Sequence, residues 1–361
     1  MNEAQSIADL SGRPIGRDEV YGPDRHRVVA TWLLLCCVLV FAMVVLGGVT
    51  RLTGSGLSIV DWRPIMGVLP PIGESQWNET FALYQQSPQF QKVNFNMDLE
   101  GFKEIFWLEY LHRLLGRTIG IVFLLPFLVF VATGRIARRD VPKYLLMFLL
   151  GGLQGLLGWY MVKSGLVNNP HVSQYRLTAH LLTAFAIYGY MFWVALSLLF
   201  RHRDGPRHAL FPRTLALTGL IVITVISGGF VAGLKAGLVY NTFPKMGGRW
   251  FPDGLFMMEP PWHNFVENIV TVQFDHRVLA LTTLAMVAAY WWTARGKGLP
   301  SRLRPAVPAL LIVAVLQVSL GVTTLLLKVP TLLGATHQAV AMVLFTVALY
   351  LCHGMYGARA S

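Results

Sequence analysis

The stretch EYLHRLLGRTIG (109–120) leads into the uncharged run Thr118–Thr133 and places several ionisable side chains at its edge. These side chains are Glu109, His112, Arg113 and Arg117. An ionisable group at the edge of an apolar helix is costly in a membrane, so the cluster indicates a function. A similar stretch, QFDHRVLA (273–280), places His276 before the uncharged run Val278–Ala294.

The composition is that of a polytopic membrane protein. Of the 361 residues, 54% are hydrophobic and only 13% are charged, which is too apolar for a soluble domain. The net charge is +12, but the basic residues are scattered in short loops, which favours topology signals over a nucleic-acid surface. The cysteines support neither a disulfide framework nor a cysteine-based metal site, because they all lie in apolar stretches: Cys36, Cys37 and Cys352.

Eight apolar runs are long enough to cross a hydrocarbon core of ~30 Å at a rise of ~1.5 Å per residue. We therefore predict an all-α membrane protein with eight transmembrane helices. The predicted spans are Val28–Val49, Phe106–Thr133, Tyr144–Val162, Leu177–Phe200, Thr214–Leu234, Thr271–Ala294, Pro305–Leu327 and Thr331–Ala358. A polar tail (1–27) precedes them, and a basic connector (201–213) separates two four-helix halves, 28–200 and 214–361.

The distribution of lysine and arginine predicts the orientation. The loops 134–143, 201–213 and 295–304 each carry four basic residues in thirteen residues or fewer. The positive-inside rule places these loops and both termini in the cytoplasm, and the longer loops 50–105 and 235–268 outside. Both long loops contain tryptophan and proline, which favours an aromatic-rich cap on the membrane face over a solvated linker.

The two halves resemble each other in motif and order. The matching elements are Gly47-Gly48 with Gly228-Gly229, LHRLLG (111–116) with DHRVLA (275–280), Gln154 with Gln317, and His180 with His337. Because each half has an even number of spans, both enter the membrane from the same side. This predicts a parallel repeat of two four-helix bundles with a pseudo-twofold axis along the membrane normal. It also predicts that four histidines lie at equal depth, in the first turns of helices that begin on the outer side: His112, His180, His276 and His337.

These four histidines, two in each half, are the main candidates for a binding site. A single histidine in an apolar helix is usually a structural hydrogen-bonding residue, but four at matching depth indicate ligation. Neutral imidazole binds haem iron, and paired helices can present one histidine to each porphyrin face. We predict one site from His112 and His180 and another from His276 and His337. A non-haem metal fits less well, since each pair has at most one nearby acid.

The halves differ at one position near the histidines. Glu109 lies three residues before His112 and shares its helix face, whereas Gln273 is the counterpart before His276. This predicts proton-coupled chemistry at the first pair and a bound cofactor at the second. The alternative is that Glu109 only pairs with an arginine at the interface. The arginines that directly follow, Arg113 and Arg277, would meet haem propionates or lipid headgroups, and both interpretations stay open.

Five motifs together resemble haem A synthase: GGVTRLTGSGLS (47–58), EYLHRLLGR (109–117), NTFPKMGG (241–248), VQFDHR (272–277) and GATHQA (334–339). The resemblance covers nearly the whole chain. Since the chain lacks the loop cysteine pairs found in one bacterial branch, it is similar to the branch shared by proteobacteria and mitochondria.

The resemblance implies an enzyme that converts haem O to haem A for terminal cytochrome oxidase. The C8 methyl of the porphyrin would be oxidised by two successive hydroxylations, through an alcohol (haem I) and a geminal diol that loses water to give the formyl group. By motif matching, His276 and His337 would ligate a haem b cofactor, whereas His112 and His180 would hold the substrate haem. Glu109 beside that substrate is the candidate proton acceptor.

The resemblance also implies a bacterial inner (cytoplasmic) membrane location and a partnership with haem O synthase, the protohaem farnesyltransferase that makes the substrate. An electron acceptor is required and is not identified by the sequence, and self-association into a homo-oligomer stays open. The alternative from another class is a di-haem b-type electron-transfer subunit. A transporter with parallel repeats is disfavoured because the predicted spans lack central charges.

Overall fold

The computed structural model describes residues 24–60, 69–166, 170–200 and 207–356, and the regular structure in these ranges is helical. Seven of the helices are long and apolar enough to span a membrane. The predicted all-α, multi-pass class is therefore confirmed. Most of the predicted tail (1–27) and the first part of the connector (201–213) lie outside the described residues.

Ten α-helices are described, of which eight have at least 21 residues. In chain order they are α1 (Asp24–Leu52), α2 (Glu74–Gln85), α3 (Pro88–Lys92), α4 (Leu99–Ala132), α5 (Val141–Lys163), α6 (Gln174–Leu199), α7 (Phe211–Gly233), α8 (Ile269–Ala294), α9 (Ala306–Leu326) and α10 (Thr331–Tyr356). Helix starts follow the local sequence. Asp98 and Asn268 cap α4 and α8 by accepting from backbone N–H groups of the first turn.

Helix α8 departs from the prediction of eight apolar spans. It has 26 residues, as many as α6 and α10, but is not among the seven helices that meet the membrane-spanning composition. Its first turns carry polar side chains and its last turns carry aromatic residues of low hydropathy, Tyr290, Trp291 and Trp292. The polar side chains are Gln273, Asp275, His276 and Arg277.

Helix α4 begins at Leu99, earlier than the predicted span that starts at Phe106. The added turns bury Phe102 and Ile105 in an aromatic cluster with Trp77 and Tyr84 from the preceding loop. The predicted aromatic cap therefore packs on α4. Hydropathy identified only the apolar part of the helix, because the earlier turns alternate with charged residues.

The early start of α4 also corrects the predicted position of one histidine. His112 lies thirteen residues after Leu99, well beyond the first turns. The other three histidines lie six or seven residues after their helix starts, in the second turn: His180, His276 and His337.

The long helices pack as two rings of four. In the first ring α1 contacts α4, α4 contacts α5, α5 contacts α6 and α6 contacts α1. In the second ring α7, α8, α9 and α10 make the same circuit. The rings join where α1 meets α10 and where α6 meets α7 and α10. In the first ring α4 thus lies opposite α6, and in the second ring α8 lies opposite α10.

Candidate functional site

The structure brings together the two predicted histidine pairs. His112 on α4 and His180 on α6 lie on opposite helices of the first ring. His276 on α8 and His337 on α10 do the same in the second ring. Each pair therefore consists of two imidazoles on opposite helices of one ring.

Each imidazole lies against a glycine of a neighbouring helix. The four contacts are Gly47 with His112, Gly158 with His180, Gly228 with His276, and Gly321 with His337. A Cβ added at the first three glycines would lie 3.1 Å from the nearest ring atom, and at Gly321 the distance would be 2.9 Å. Any larger residue would push on the ring, so glycine is what leaves each imidazole its space.

Two glutamines lie beside the histidines of α6 and α10. Gln154 Nε2 donates to the His180 carbonyl oxygen at 2.9 Å and lies 3.5 Å from His180 Nε2. Gln317 Nε2 lies 3.4 Å from His337 Nε2. Both glutamine Oε1 atoms and the Nδ1 atoms of both histidines are buried, without a hydrogen-bond partner among the described residues. Buried polar atoms without partners are uncommon in folded proteins, and the two unpartnered glutamine oxygens indicate room for a bound group beside each ring.

These donors fit an iron porphyrin better than a bare metal ion. Two imidazoles from opposite helices are a bis-histidine haem ligand set, and the flanking glycines leave room beside the rings. A bare metal site needs three or more protein ligands, and the described part of the chain contains no such group of His, Cys, Asp or Glu side chains. The three cysteines are free and buried in the core.

His276 also has a hydrogen-bond partner at its Nδ1 ring nitrogen. Ser227 Oγ lies 2.8 Å from His276 Nδ1, and it also donates to the carbonyl oxygen of Thr224 at 2.8 Å. Ser227 directly precedes Gly228, which lies against the same ring. The α7 face thus both makes room for the imidazole and contacts its Nδ1 edge.

Glu109 is buried and holds the loop that follows α1. Ser58 Oγ and the Ile59 N–H donate to Glu109 Oε2 at 2.7 and 2.8 Å. Arg113 donates to Glu109 Oε1 from Nη2 at 2.6 Å and from Nε at 3.1 Å. Only 3% of the Glu109 side chain is exposed. The arginine pairing that the sequence left as an alternative is present, and it is part of a larger network.

The counterpart residues on α8 hold the loop that follows α7. Gln273 Nε2 donates to the Tyr240 carbonyl oxygen at 3.1 Å. Arg277 donates to the Tyr240 and Thr242 carbonyl oxygens, each at 2.8 Å. Arg113 likewise donates to the Ile59 carbonyl oxygen at 3.0 Å. Both arginines therefore bind loop backbone, a contact that neither sequence interpretation anticipated.

The model of one protein family, described as a cytochrome oxidase assembly protein, matches residues 30–349. The chain belongs to the COX15-CtaA family. It is 55% identical to a "Heme A synthase" from Nitrosospira multiformis over 91% of this chain and 93% of that protein. It is 49% identical to one from Paramagnetospirillum magneticum (95% and 98% covered). It is 46% identical to the human "Heme A synthase COX15" (93% and 85% covered). The predicted family is confirmed.

Sequence analysis noted Gln154 and Gln317 as matching elements of the repeat but gave them no role in the site, and it did not single out Gly158, Gly321 or Ser227. Gln154 and Gly158 are four residues apart, as are Gln317 and Gly321, so each pair lies on one helix face. This repeated Gln-x-x-x-Gly spacing was a readable signal for both pairs. Ser227 had no comparable signal, because its matching position in the first half is a leucine.

Proposed function

We propose that the chain oxidises haem O to haem A. The C8 methyl group becomes a formyl group through two hydroxylations, with haem I as the alcohol formed first. One observation carries the proposal: two imidazole pairs occupy matched positions in a chain whose relatives are named haem A synthase over nearly their full length. Those names also disfavour the alternative, a di-haem b-type electron-transfer subunit.

The two sites have different roles in this proposal. His112 and His180 hold the substrate haem, and His276 and His337 ligate a resident haem b. When bound, haem b supplies one-electron redox chemistry. The glycine beside each ring, which leaves the imidazole its space, supports the assignment of a porphyrin to both sites.

Glu109 is the proposed proton acceptor for the oxidised methyl group. With water as the oxygen source, converting a methyl to a formyl group inserts one oxygen atom and releases four protons and four electrons, so a base and an external electron acceptor are both required. Glu109 lies three residues before His112 on the same helix face. Its carboxylate already accepts four hydrogen bonds, so taking up a proton would weaken its bonds to the loop and to Arg113.

We also infer a parallel repeat of two four-helix halves, 28–200 and 214–361, with α8 crossing the membrane as the counterpart of α4. The helix contacts support this, since they are preserved when α1, α4, α5 and α6 are exchanged with α7, α8, α9 and α10. The matched glycine–histidine contacts support it as well. The basic loops favour cytoplasmic termini in a bacterial inner membrane, where haem O synthase would supply the substrate.

Alanine variants of the four histidines test the proposal. We expect His276→Ala and His337→Ala to lose haem b from optical spectra. His112→Ala and His180→Ala should retain haem b but yield no haem A or haem I in extracted pigment. If the unmodified protein contains haem b alone and makes no haem A from haem O, the proposal is wrong and an electron carrier is favoured.

A further inference from the structure

The four histidines differ in what contacts Nδ1. Of these four, only His276 has a side-chain hydrogen-bond partner at this atom among the described residues, the hydroxyl of Ser227. The Nδ1 atoms of His180 and His337 are buried without one. The two halves thus agree at their second histidines and differ at the first, since His112 has no counterpart of the Ser227 contact.

The hydrogen bonds around Ser227 favour one tautomer of the His276 ring. A serine hydroxyl has one hydrogen, and the Thr224 carbonyl 2.8 Å away can only accept it. With its hydrogen donated to the Thr224 carbonyl, the Ser227 oxygen presents a lone pair to His276 Nδ1 at 2.8 Å. A neutral imidazole that donates from Nδ1 has its free lone pair on Nε2, which is the form that binds iron.

We propose that Ser227 is a positioning residue that holds His276 as the Nδ1–H tautomer and makes the second site the permanent haem site. The inference rests on the proposed binding of haem b by His276 and His337. A hydrogen bond at the distal ring nitrogen of a metal-bound histidine fixes the ring orientation and raises the basicity of the ligand. Both effects strengthen the iron–nitrogen bond and favour the ferric state.

The first half lacks a serine at the position that matches Ser227. The Gly47-Gly48 and Gly228-Gly229 pairs match, so Leu46 is the counterpart of Ser227. A leucine side chain cannot accept a hydrogen bond. In this proposal the His112 site would hold its haem with a less basic ligand, because no serine hydroxyl accepts from the ring at the matching position. A weaker ligand suits a site where the haem arrives as substrate and must leave as product, whereas a resident cofactor must stay through many turnovers.

The test compares Ser227→Ala and Ser227→Thr in the full-length protein purified with its haem. We measure the rate at which haem b passes to excess apomyoglobin, and the midpoint potential of haem b. The haem b signal is identified as the one that is absent from the spectrum of His276→Ala. We expect Ser227→Ala to lose haem b about 10–100-fold faster and to shift the potential to a more positive value. A tenfold change in the ratio of ferric to ferrous affinity corresponds to about 59 mV. Ser227→Thr keeps the hydroxyl and should restore both values.

Thr283→Val is the matched control. Thr283 Oγ1 lies 2.9 Å from Thr224 Oγ1 in the same α7–α8 contact, and the residue follows His276 by seven positions on α8. A general loosening of this contact would accelerate haem loss in Thr283→Val as much as in Ser227→Ala, and that result would overturn the inference. An unchanged loss rate and potential in Ser227→Ala would also overturn it. Neither readout requires turnover, so a protein that keeps haem b but makes no haem A contradicts the proposed reaction and not the role of Ser227.

Discussion

The loops after α1 and α7 are held by matching positions of the next long helix, but with opposite hydrogen-bond polarity. In the first half Glu109 accepts from Ser58 and from the backbone of Ile59. In the second half Gln273 donates to the carbonyl oxygen of Tyr240. The arginine one turn later binds loop carbonyls in both halves. A carboxylate can only accept and an amide can also donate, so the Tyr240 carbonyl requires the amide in the second half, whereas either residue could accept from the first loop.

This comparison gives the Glu/Gln difference a structural reason alongside the catalytic one. The first network is closed, since both oxygens of Glu109 have partners. The second leaves Gln273 Oε1 and Arg277 Nε buried without a partner among the described residues. Glu109 has two explanations, as a base and as a loop anchor. They make different predictions for a variant that removes its charge and for one that removes all its hydrogen bonds.

The largest expected effect is on turnover in Glu109→Gln. The amide oxygen can still accept from Ser58 and Ile59 and hold the loop, whereas the amide NH2 cannot accept from Arg113, so haem b content is measured in the same samples. If Glu109 is the proton acceptor, conversion of haem O should fall about 100- to 10,000-fold, the usual contribution of a general base. The measurement is haem A formed per haem b bound. Full turnover with normal haem content would leave Glu109 as a loop anchor only.

Truncation of the two counterparts should affect stability unequally. Glu109→Ala removes the acceptor of four hydrogen bonds and the partner of the largely buried Arg113, which should cost about 3–5 kcal/mol. Gln273→Ala removes one bond to Tyr240 and should cost about 1–3 kcal/mol. Denaturant unfolding in detergent, followed by helical circular dichroism, measures both. Equal losses would mean that the carboxylate network is no stronger than the amide contact.

Much of the helical framework could be predicted from apolar runs alone, because every membrane-crossing helix must satisfy its own backbone. The histidine pairs were predicted from the internal repeat. Helix α4 shows the limit of this reasoning. Its first turns are stabilised by the Asp98 cap and by packing against Trp77 and Tyr84, and a hydropathy pattern does not register such contacts.

The hydrogen-bond networks around the candidate site could not be predicted. Ser58 lies 51 residues from Glu109, and Ser227 lies 49 residues from His276. Nothing in the local sequence indicates that these serines face an ionisable side chain. Their roles follow from how the loop after α1 folds back onto α4 and from how α7 packs on α8, which are properties of the tertiary structure.

Arg277→Lys tests whether the second loop requires geometry or only charge. The guanidinium group spans the carbonyl oxygens of Tyr240 and Thr242, whereas the single ammonium group of lysine cannot reproduce this fork. Loss of one charge-assisted bond should cost about 1.5–3 kcal/mol in the same unfolding measurement. If Arg277 only supplied positive charge to a propionate or a lipid headgroup, the lysine variant would match the unmodified protein in stability and haem content.

The smallest effects are expected where the halves agree, at the glycines under the second histidines. An added methyl at Gly158 or Gly321 would lie 3.1 or 2.9 Å from Cε1 of His180 or His337. Overpacking should cost about 1–3 kcal/mol, offset by about 1 kcal/mol of improved helix propensity. Both alanine variants should therefore be only slightly less stable, yet each should weaken haem binding in its own half.

Gly155→Ala is the matched control, because Gly155 lies on α5 one turn from Gly158 and its added methyl meets nothing within 4 Å. It should leave haem content unchanged and gain up to about 1 kcal/mol. If Gly158→Ala behaved like Gly155→Ala in both measurements, the contact between Gly158 and His180 would have no part in holding the substrate.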